Sequence, residues 1–145
     1  MNAPAIRPAA VGDAADIHAL MLTMADDIPL AAETLEQQEA LYAALRKILA
    51  FGQSWIALDG GTVVGFALID AAEAGRHWGE EERLNLRYAA GAALDGLLAK
   101  ALARRVPVAA TVREANRNGL AAALVRAGFR QSETRVGELR FQYEP

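Results

Sequence analysis

The stretch "SWIALDGGTVVGFALIDA", Ser54 to Ala71, constrains the fold more than any other part of the chain. Two runs of strand-forming residues flank Asp59-Gly60-Gly61. A tight hairpin turn needs positive φ angles, which glycine adopts without steric penalty. The runs "WIAL" and "VVGFALI" are nearly continuous in apolar residues. Such strands are expected to be covered on both faces, so this hairpin belongs inside a sheet with helices packed above and below it.

Helical periodicity supplies those helices. In "GDAADIHALMLTMA", Asp13 stands where an N-cap belongs, and Ile17, Leu20 and Met21 follow at helical spacing. Pro29 in "DDIPL" is expected to break that helix. A second helix is expected through "TLEQQEALYAALRKILAFG", with Leu41, Ala44, Leu45, Ile48 and Leu49 on one face, Thr34 and Gln37 as a capping box, and Gly52 as the stop. A third is predicted from about Gly91 to Arg105, and a fourth over "NRNGLAAALVRAGF", ended by Gly128. Strands are predicted at "AIRPA", "RLNLRY" and "VPVAATV", with a closing hairpin in "FRQSETRVGELRFQYE"; "AEAGRHWGEEE" reads as a polar loop. The order is β-α-α-β-β-β-α-β-α-β-β. With 145 residues, 53% of them hydrophobic, the chain has the length and apolar content of one ordinary α/β domain with a mixed sheet.

Several function classes recede on composition. No apolar run nears the roughly 18 residues of a membrane span. The opening "MNAPAIRPAAVGDAAD" lacks the basic-then-hydrophobic pattern of a secretory signal. The absence of cysteine removes disulfides, thiolate metal sites and cysteine nucleophiles together, and fits a cytoplasmic setting. His18 and His77 stand far apart without metal-ligand spacing, so no metal site is expected. A net charge of −3 argues against a nucleic-acid partner. The arginines at 104, 105, 113, 117, 126 and 130 form either a solvated helix face or a local attraction for a phosphorylated ligand.

Three segments in this order resemble the GNAT acetyltransferase superfamily: "IRPAAVGDAADIHAL", the hairpin "WIALDGGTVVGFALI", and "NRNGLAAALVRAGFR" with its Gly128-Phe129 close. The resemblance covers nearly the whole chain. It implies a GNAT-like acyl-CoA N-acyltransferase fold, with a mixed central sheet of about seven strands flanked by about four helices. It also implies acetyl-CoA as cofactor and an amine as acceptor, with the possibility of a homodimer and no membrane partner. In the family the cofactor loop reads Arg or Gln, two residues, Gly, any residue, then Gly or Ala. Backbone N–H groups at a helix N-terminus hold the pyrophosphate there, and small side chains let it approach. The pantetheine arm pairs with backbone freed where one strand splays from its neighbour.

"RYAAGAALDGLLAKAL" occupies that position and departs from the pattern. Aligned without gaps on Leu97-Leu98, Ala89 takes the Arg/Gln position, Ala92 the first glycine and Leu94 the final small residue. Shifted slightly, Gly91 and Ala93 become the small pair and Tyr88 takes the basic position, with Arg87 one residue away. The cofactor-binding set implied by the resemblance is Leu84, Leu86, Tyr88, Ala89, Ala90, Gly91, Ala92 and Ala93, together with Asn116 and Asn118; the two asparagines serve equally well as N-caps. The family's tyrosine acid, four residues before the late glycine, is replaced by Leu124. An amine must be neutral to attack, and a carboxylate commonly helps. Strand alternation in "GEEERLNLRY" groups Glu82 and Glu80 with Leu84 and Leu86, making Glu82 and Glu80 the candidate catalytic groups if that face meets the ligand. Asp26, Asp27 and Glu33 lie where the family lines its acceptor side, which would favour a cationic substrate. The main expectation is an N-acetyltransferase acting on a small molecule or protein amine by direct attack. The alternative is a non-catalytic acyl-CoA-binding or protein-interaction module of the same fold.

Overall fold

The computed structural model describes residues 3–28, 30–70 and 83–145. One seven-stranded sheet runs through them in the order β1-β2-β3-β4-β5-β7-β6. The strands are β1 (Ala5–Pro8), β2 (Trp55–Asp59), β3 (Thr62–Asp70), β4 (Leu84–Gly91), β5 (Val108–Arg113), β6 (Arg130–Arg135) and β7 (Glu138–Tyr143). All neighbours are antiparallel except β4 and β5, which are parallel. Helices α1 (Ala14–Thr23) and α2 (Leu35–Ala50) cover one face, and α3 (Leu94–Leu102) and α4 (Leu120–Ala127) cover the other.

Both layers of the core follow from the patterns read above. Ile17 and Met21 of α1 and Leu41, Leu45, Ile48 and Leu49 of α2 close over Ile56, Phe66 and Leu68. Across the sheet, Leu97, Leu98, Leu120 and Leu124 pack on Ala67, Ile69, Leu86, Val108 and Phe141. β2 and β3, the two apolar runs, are therefore buried from both sides. Their turn has φ +57° at Gly60 and +85° at Gly61, as a tight hairpin requires.

Local chemistry sets the helix ends. Thr34 Oγ1 accepts from the Gln37 amide at 3.1 Å, and Gln37 Oε1 accepts from the Thr34 amide at 3.2 Å, completing the expected capping box. Asp13 occupies the N-cap of α1 but makes no side-chain cap bond. Its carboxylate instead takes Arg7 at 2.8 and 3.0 Å and the Ala10 amide at 2.8 Å, stabilising a short 3₁₀ turn (Val11–Asp13) ahead of the helix. α1 ends at Thr23, before Pro29, and a turn follows through Ile28. α3 starts at Leu94, later than expected, because β4 continues through the alanines to Gly91. The polar segment 71–82, which contains Glu80, Glu82 and His77, lies outside the described residues.

The hydrogen bond from Arg7 lowers the Asp13 pKa from the ordinary 3.8, and the Ala10 amide acts in the same direction against partial desolvation. A carboxyl held more acidic in the folded chain contributes stability above the unfolded aspartate range and loses it as pH falls through the folded value. Asp13→Asn is therefore expected to lower the melting temperature at pH 7, by an amount corresponding to at most about 1 kcal/mol. The gap should close as pH falls below the ordinary 3.8 and through the lower value of the folded chain. An unchanged gap in acid would show that Asp13 acts through packing.

Candidate functional site

β4 and β5 pair over Leu84↔Val108, Asn85↔Ala109 and Leu86↔Ala110, and then part. Beyond that point β4 continues to Gly91 and β5 to Arg113. The register against β3 slips between Leu68 and Ile69, so that Leu68 faces Tyr88 while Ile69 faces Leu86, leaving Arg87 as an extra residue in a β-bulge. A bulge bends its strand and re-aims the residues after it. Leu86 packs toward α3 and α4, whereas Tyr88 turns to the α1 and α2 side.

The free edge of β4 has a defined polarity. Asn118 Nδ2 donates to the Ala89 carbonyl at 3.1 Å, bridging the gap. Strand alternation then puts the peptide groups of Ala89 and Gly91 on the open side and those of Tyr88 and Ala90 toward β3. The Ala92 amide is bound to the Val64 carbonyl at 2.8 Å. Its N–H is thus engaged with β3, which corrects the expectation that it offers a donor to a ligand. Leu84 and Leu86 sit below the parting, with their backbone in register with β5. Of the two, Leu86 borders the cavity described below, while its side chain packs on the opposite face of the sheet.

Gly91 has φ +92°, and a Cβ there would sit 2.3 Å from the Val64 carbonyl oxygen and 2.7 Å from Gly65 Cα. Strand packing alone therefore demands this glycine. Ala93, at the N-cap of α3, is left-handed with φ +61°, φ being the angle for which glycine is the usual choice. The amides of Ala93, Leu94, Asp95 and Gly96 have no backbone acceptor among the described residues, as the first turn of a helix dictates. Small side chains at Ala92 and Ala93 leave them accessible. Leu94 packs against the core. Asp95 occupies the same turn, where a carboxylate is favoured by the helix dipole; it meets Arg126 Nε of α4 at 3.1 Å.

On the α1 and α2 side, the parting opens into a cavity of about 480 Å³. One wall is apolar, from Ile28, Leu30, Ala40, Leu41 and Ala44, and the sheet floor brings Asn85, Arg87, Tyr88, Thr111, Arg113 and Glu138. Asp70 Oδ2 accepts from Arg87 at 3.1 Å, and its Oδ1 accepts from Asn85 Nδ2 at 3.3 Å. Behind them Arg140, only 1% exposed, donates to Thr111 Oγ1 at 2.7 Å and to Asn85 Oδ1 at 3.4 Å. The Arg87 guanidinium lies 5.6 Å from the Tyr88 ring centre.

The loops around the mouth are joined. Arg117 N–H donates to the Asp27 carbonyl at 2.7 Å, and its guanidinium to the Asp26 carbonyl at 3.1 Å. Asp26 and Glu33 line a separate depression shared with Arg113 and Arg117, outside the cavity. Asn116 Oδ1 accepts from the Asn118 amide at 3.1 Å, and Asn118 Oδ1 from the Leu120 amide at 3.0 Å. Asn118, the residue before the N-cap Gly119, thus satisfies the first amide of α4 and bridges to β4. Leu124 is fully buried among α3, β5 and β7, while Leu120, one turn earlier, reaches the cavity. His18 Nε2 lies 2.9 Å from the Gln38 carbonyl and meets the Tyr42 ring edge-on, a structural placement. Sequence reading missed Thr111, Glu138 and Arg140. The period-two pattern of "VAATVR" and "ELRFQY" puts them on one face, which is the available signal.

The arrangement of strands and helices matches solved structures. An acetyltransferase of the GNAT family from Streptococcus agalactiae superposes with TM-score 0.73 at 12% identity, covering 97% of this chain and 95% of its own. The fold is that of the GNAT acetyltransferases. PaiA N-acetyltransferase from Thermoplasma acidophilum, in complex with coenzyme A, gives TM-score 0.67 at 12% identity over 99% of this chain and 100% of its own. An agmatine N-acetyltransferase in its apo form gives 0.76 at 13% identity, again over 99% and 100%. No protein-family model and no curated protein matches the sequence. Identities this low make the GNAT likeness one of architecture. No helix among the described residues is long and apolar enough to cross a membrane.

Proposed function

We propose that this GNAT-fold chain binds acetyl-CoA and transfers its acetyl group to an amine held in the cavity. The observation that carries the reading is the parting of β4 from β5, with unbonded α3 amides at one end and the cavity at the other. Acetyl-CoA supplies an activated acyl carbon and a thiolate leaving group. The amides of Gly91 and of Ala93 to Gly96 would hold the diphosphate, aided by the helix dipole. The open peptide edge at Ala89 and Gly91 would take the pantetheine arm, with Asn116 and Asn118 beside it. This fits the residues present, although Asp95 places one negative charge where a diphosphate would sit, which weakens the hold.

The chain has no cysteine to carry an acyl group, so attack by the amine is direct. Glu138 is the carboxylate among the described cavity residues. It joins Glu82 and Glu80, proposed from the sequence, as a group able to relieve the acceptor of its proton. The apolar wall favours an acceptor with a hydrophobic body. A cytoplasmic location, which the absence of cysteine fits, and a homodimer, which the family resemblance implies, belong to the same reading. A second reading, an acyl-CoA-binding or interaction module without transfer, is favoured by Leu124 in the tyrosine position and by Asp95 in the first turn of α3.

Acetyl-CoA is expected to raise the melting temperature of the purified protein. At a ligand concentration of a hundred times Kd the gain is about 2.7 kcal/mol. No shift at millimolar acetyl-CoA would refute the proposal and leave an interaction module. A shift without acetylated product across a panel of amines would select the binding-only reading.

A further inference from the structure

Thr111 stands at a singular place in the sheet. It is the first residue of β5 beyond the last pair with β4, Leu86↔Ala110, and it lines the cavity. From Arg87 to Gly91 the free edge of β4 spans about 13 Å of extended chain. An arm anchored by its diphosphate at α3 and laid along that edge ends beside Thr111.

The direction of one hydrogen bond gives this hydroxyl a polarity. Arg140 Nη1 lies 2.7 Å from Thr111 Oγ1. A guanidinium only donates, so the threonine oxygen accepts and its own proton points elsewhere. Arg140 is 1% exposed and brings a guanidinium cation into the interior. A cation held against the oxygen in a poorly solvated setting makes the O–H a stronger donor. The head group is fixed as well, because Asn85 accepts from Arg140, donates to Asp70, and Asp70 also takes Arg87.

We propose that Thr111, backed by Arg140, donates the hydrogen bond that stabilises the departing sulfur of the acyl donor. This rests on the acetyl-CoA reading above. The amine lone pair forms the new N–C bond, the C–S bond breaks, and the sulfur leaves with the bonding pair. Thr111 keeps its proton, since an alcohol is a far weaker acid than a thiol. The proton released from nitrogen reaches sulfur through water, so the net change is thioester plus amine to amide plus thiol. Arg140 acts through Thr111 and is a positioning residue.

The test needs no acceptor. CoA is bound to the wild-type protein and to Thr111→Val, Thr111→Ala and Thr111→Ser, and the ultraviolet absorbance of the bound thiolate is followed against pH. Melting temperatures identify which variants are folded; the alanine variant covers the case in which valine disturbs the strand. Wild type and Thr111→Ser are expected to ionise bound CoA alike. The two variants without a hydroxyl should show about a tenfold lower thiolate-to-thiol ratio at the same pH, the effect of one hydrogen bond to a charged group. Equal titration in all four proteins, with CoA bound, overturns this proposal and leaves the function standing. A serine variant that behaves like valine also overturns it. Failure of every protein to bind CoA removes the function and this proposal together.

Discussion

Gly91→Ala is expected to destabilise the protein by about 4 kcal/mol. Two effects add. The residue has φ +92°, a conformation that costs an L-amino acid on the order of 1–3 kcal/mol. The added Cβ would also sit 2.3 Å from the Val64 carbonyl oxygen and 2.7 Å from Gly65 Cα. Both are backbone atoms of the neighbouring strand β3 and cannot rotate away, and overpacking of this kind typically costs about 1–3 kcal/mol. For a chain of this size the melting temperature should fall by roughly 8–16 °C. Gly137→Ala separates the two contributions, because Gly137 has φ +77° with nothing within 4 Å of its Cβ position. It should lose only the conformational part. Equal losses at the two sites would show that the close approach of β3 and β4 is unimportant.

Leu124→Tyr, which restores the family's phenol in sequence, is expected to lower stability without improving acyl transfer. The Leu124 side chain is completely buried with Leu97, Leu98 and Phe129, and it is absent from the cavity wall. A larger ring must displace these neighbours, at about 1–3 kcal/mol. A phenol O–H without a partner adds a comparable penalty. Leu124→Ala at the same position should lose about 2–5 kcal/mol, which would confirm that the site is packed. Thermal denaturation measures both. A tyrosine variant as stable as the parent and faster in transfer would show instead that the helix can present this position to the ligand.

The fold was legible where single residues carry strong local physics. Asp59-Gly60-Gly61 announces its turn, Thr34 and Gln37 announce the start of α2, and the leucines of α2 mark its buried face. Legibility fails at "AAGAA". Alanine suits helix and buried strand alike, so nothing local tells that β4 continues to Gly91 and α3 waits until Leu94. Gly91 itself reads as ligand-friendly, while the structure shows it first as a condition for two strands to meet. Asp13 reads as a cap, yet Arg7 outcompetes the helix amides for its carboxylate. Arg140 could not be foreseen as buried, because an arginine in "ELRFQY" normally faces water. Partners distant in sequence, Thr111 and Asn85 among them, make the interior acceptable. The acids expected on the acceptor side show the same limit: Asp26 and Glu33 line a second depression that shares Leu30, Ala31 and Arg113 with the cavity, and Arg117 binds the carbonyls of Asp26 and Asp27.

Asn118 joins β4 to the start of α4 with one side chain, its Nδ2 on the Ala89 carbonyl and its Oδ1 on the Leu120 amide. A guest laid along β4 either shares the two lone pairs of the Ala89 oxygen with that amide or displaces it. Displacement would also loosen the bond from the Leu120 amide, so the groove and the first turn of α4, some thirty positions further along the chain, are linked through one side chain.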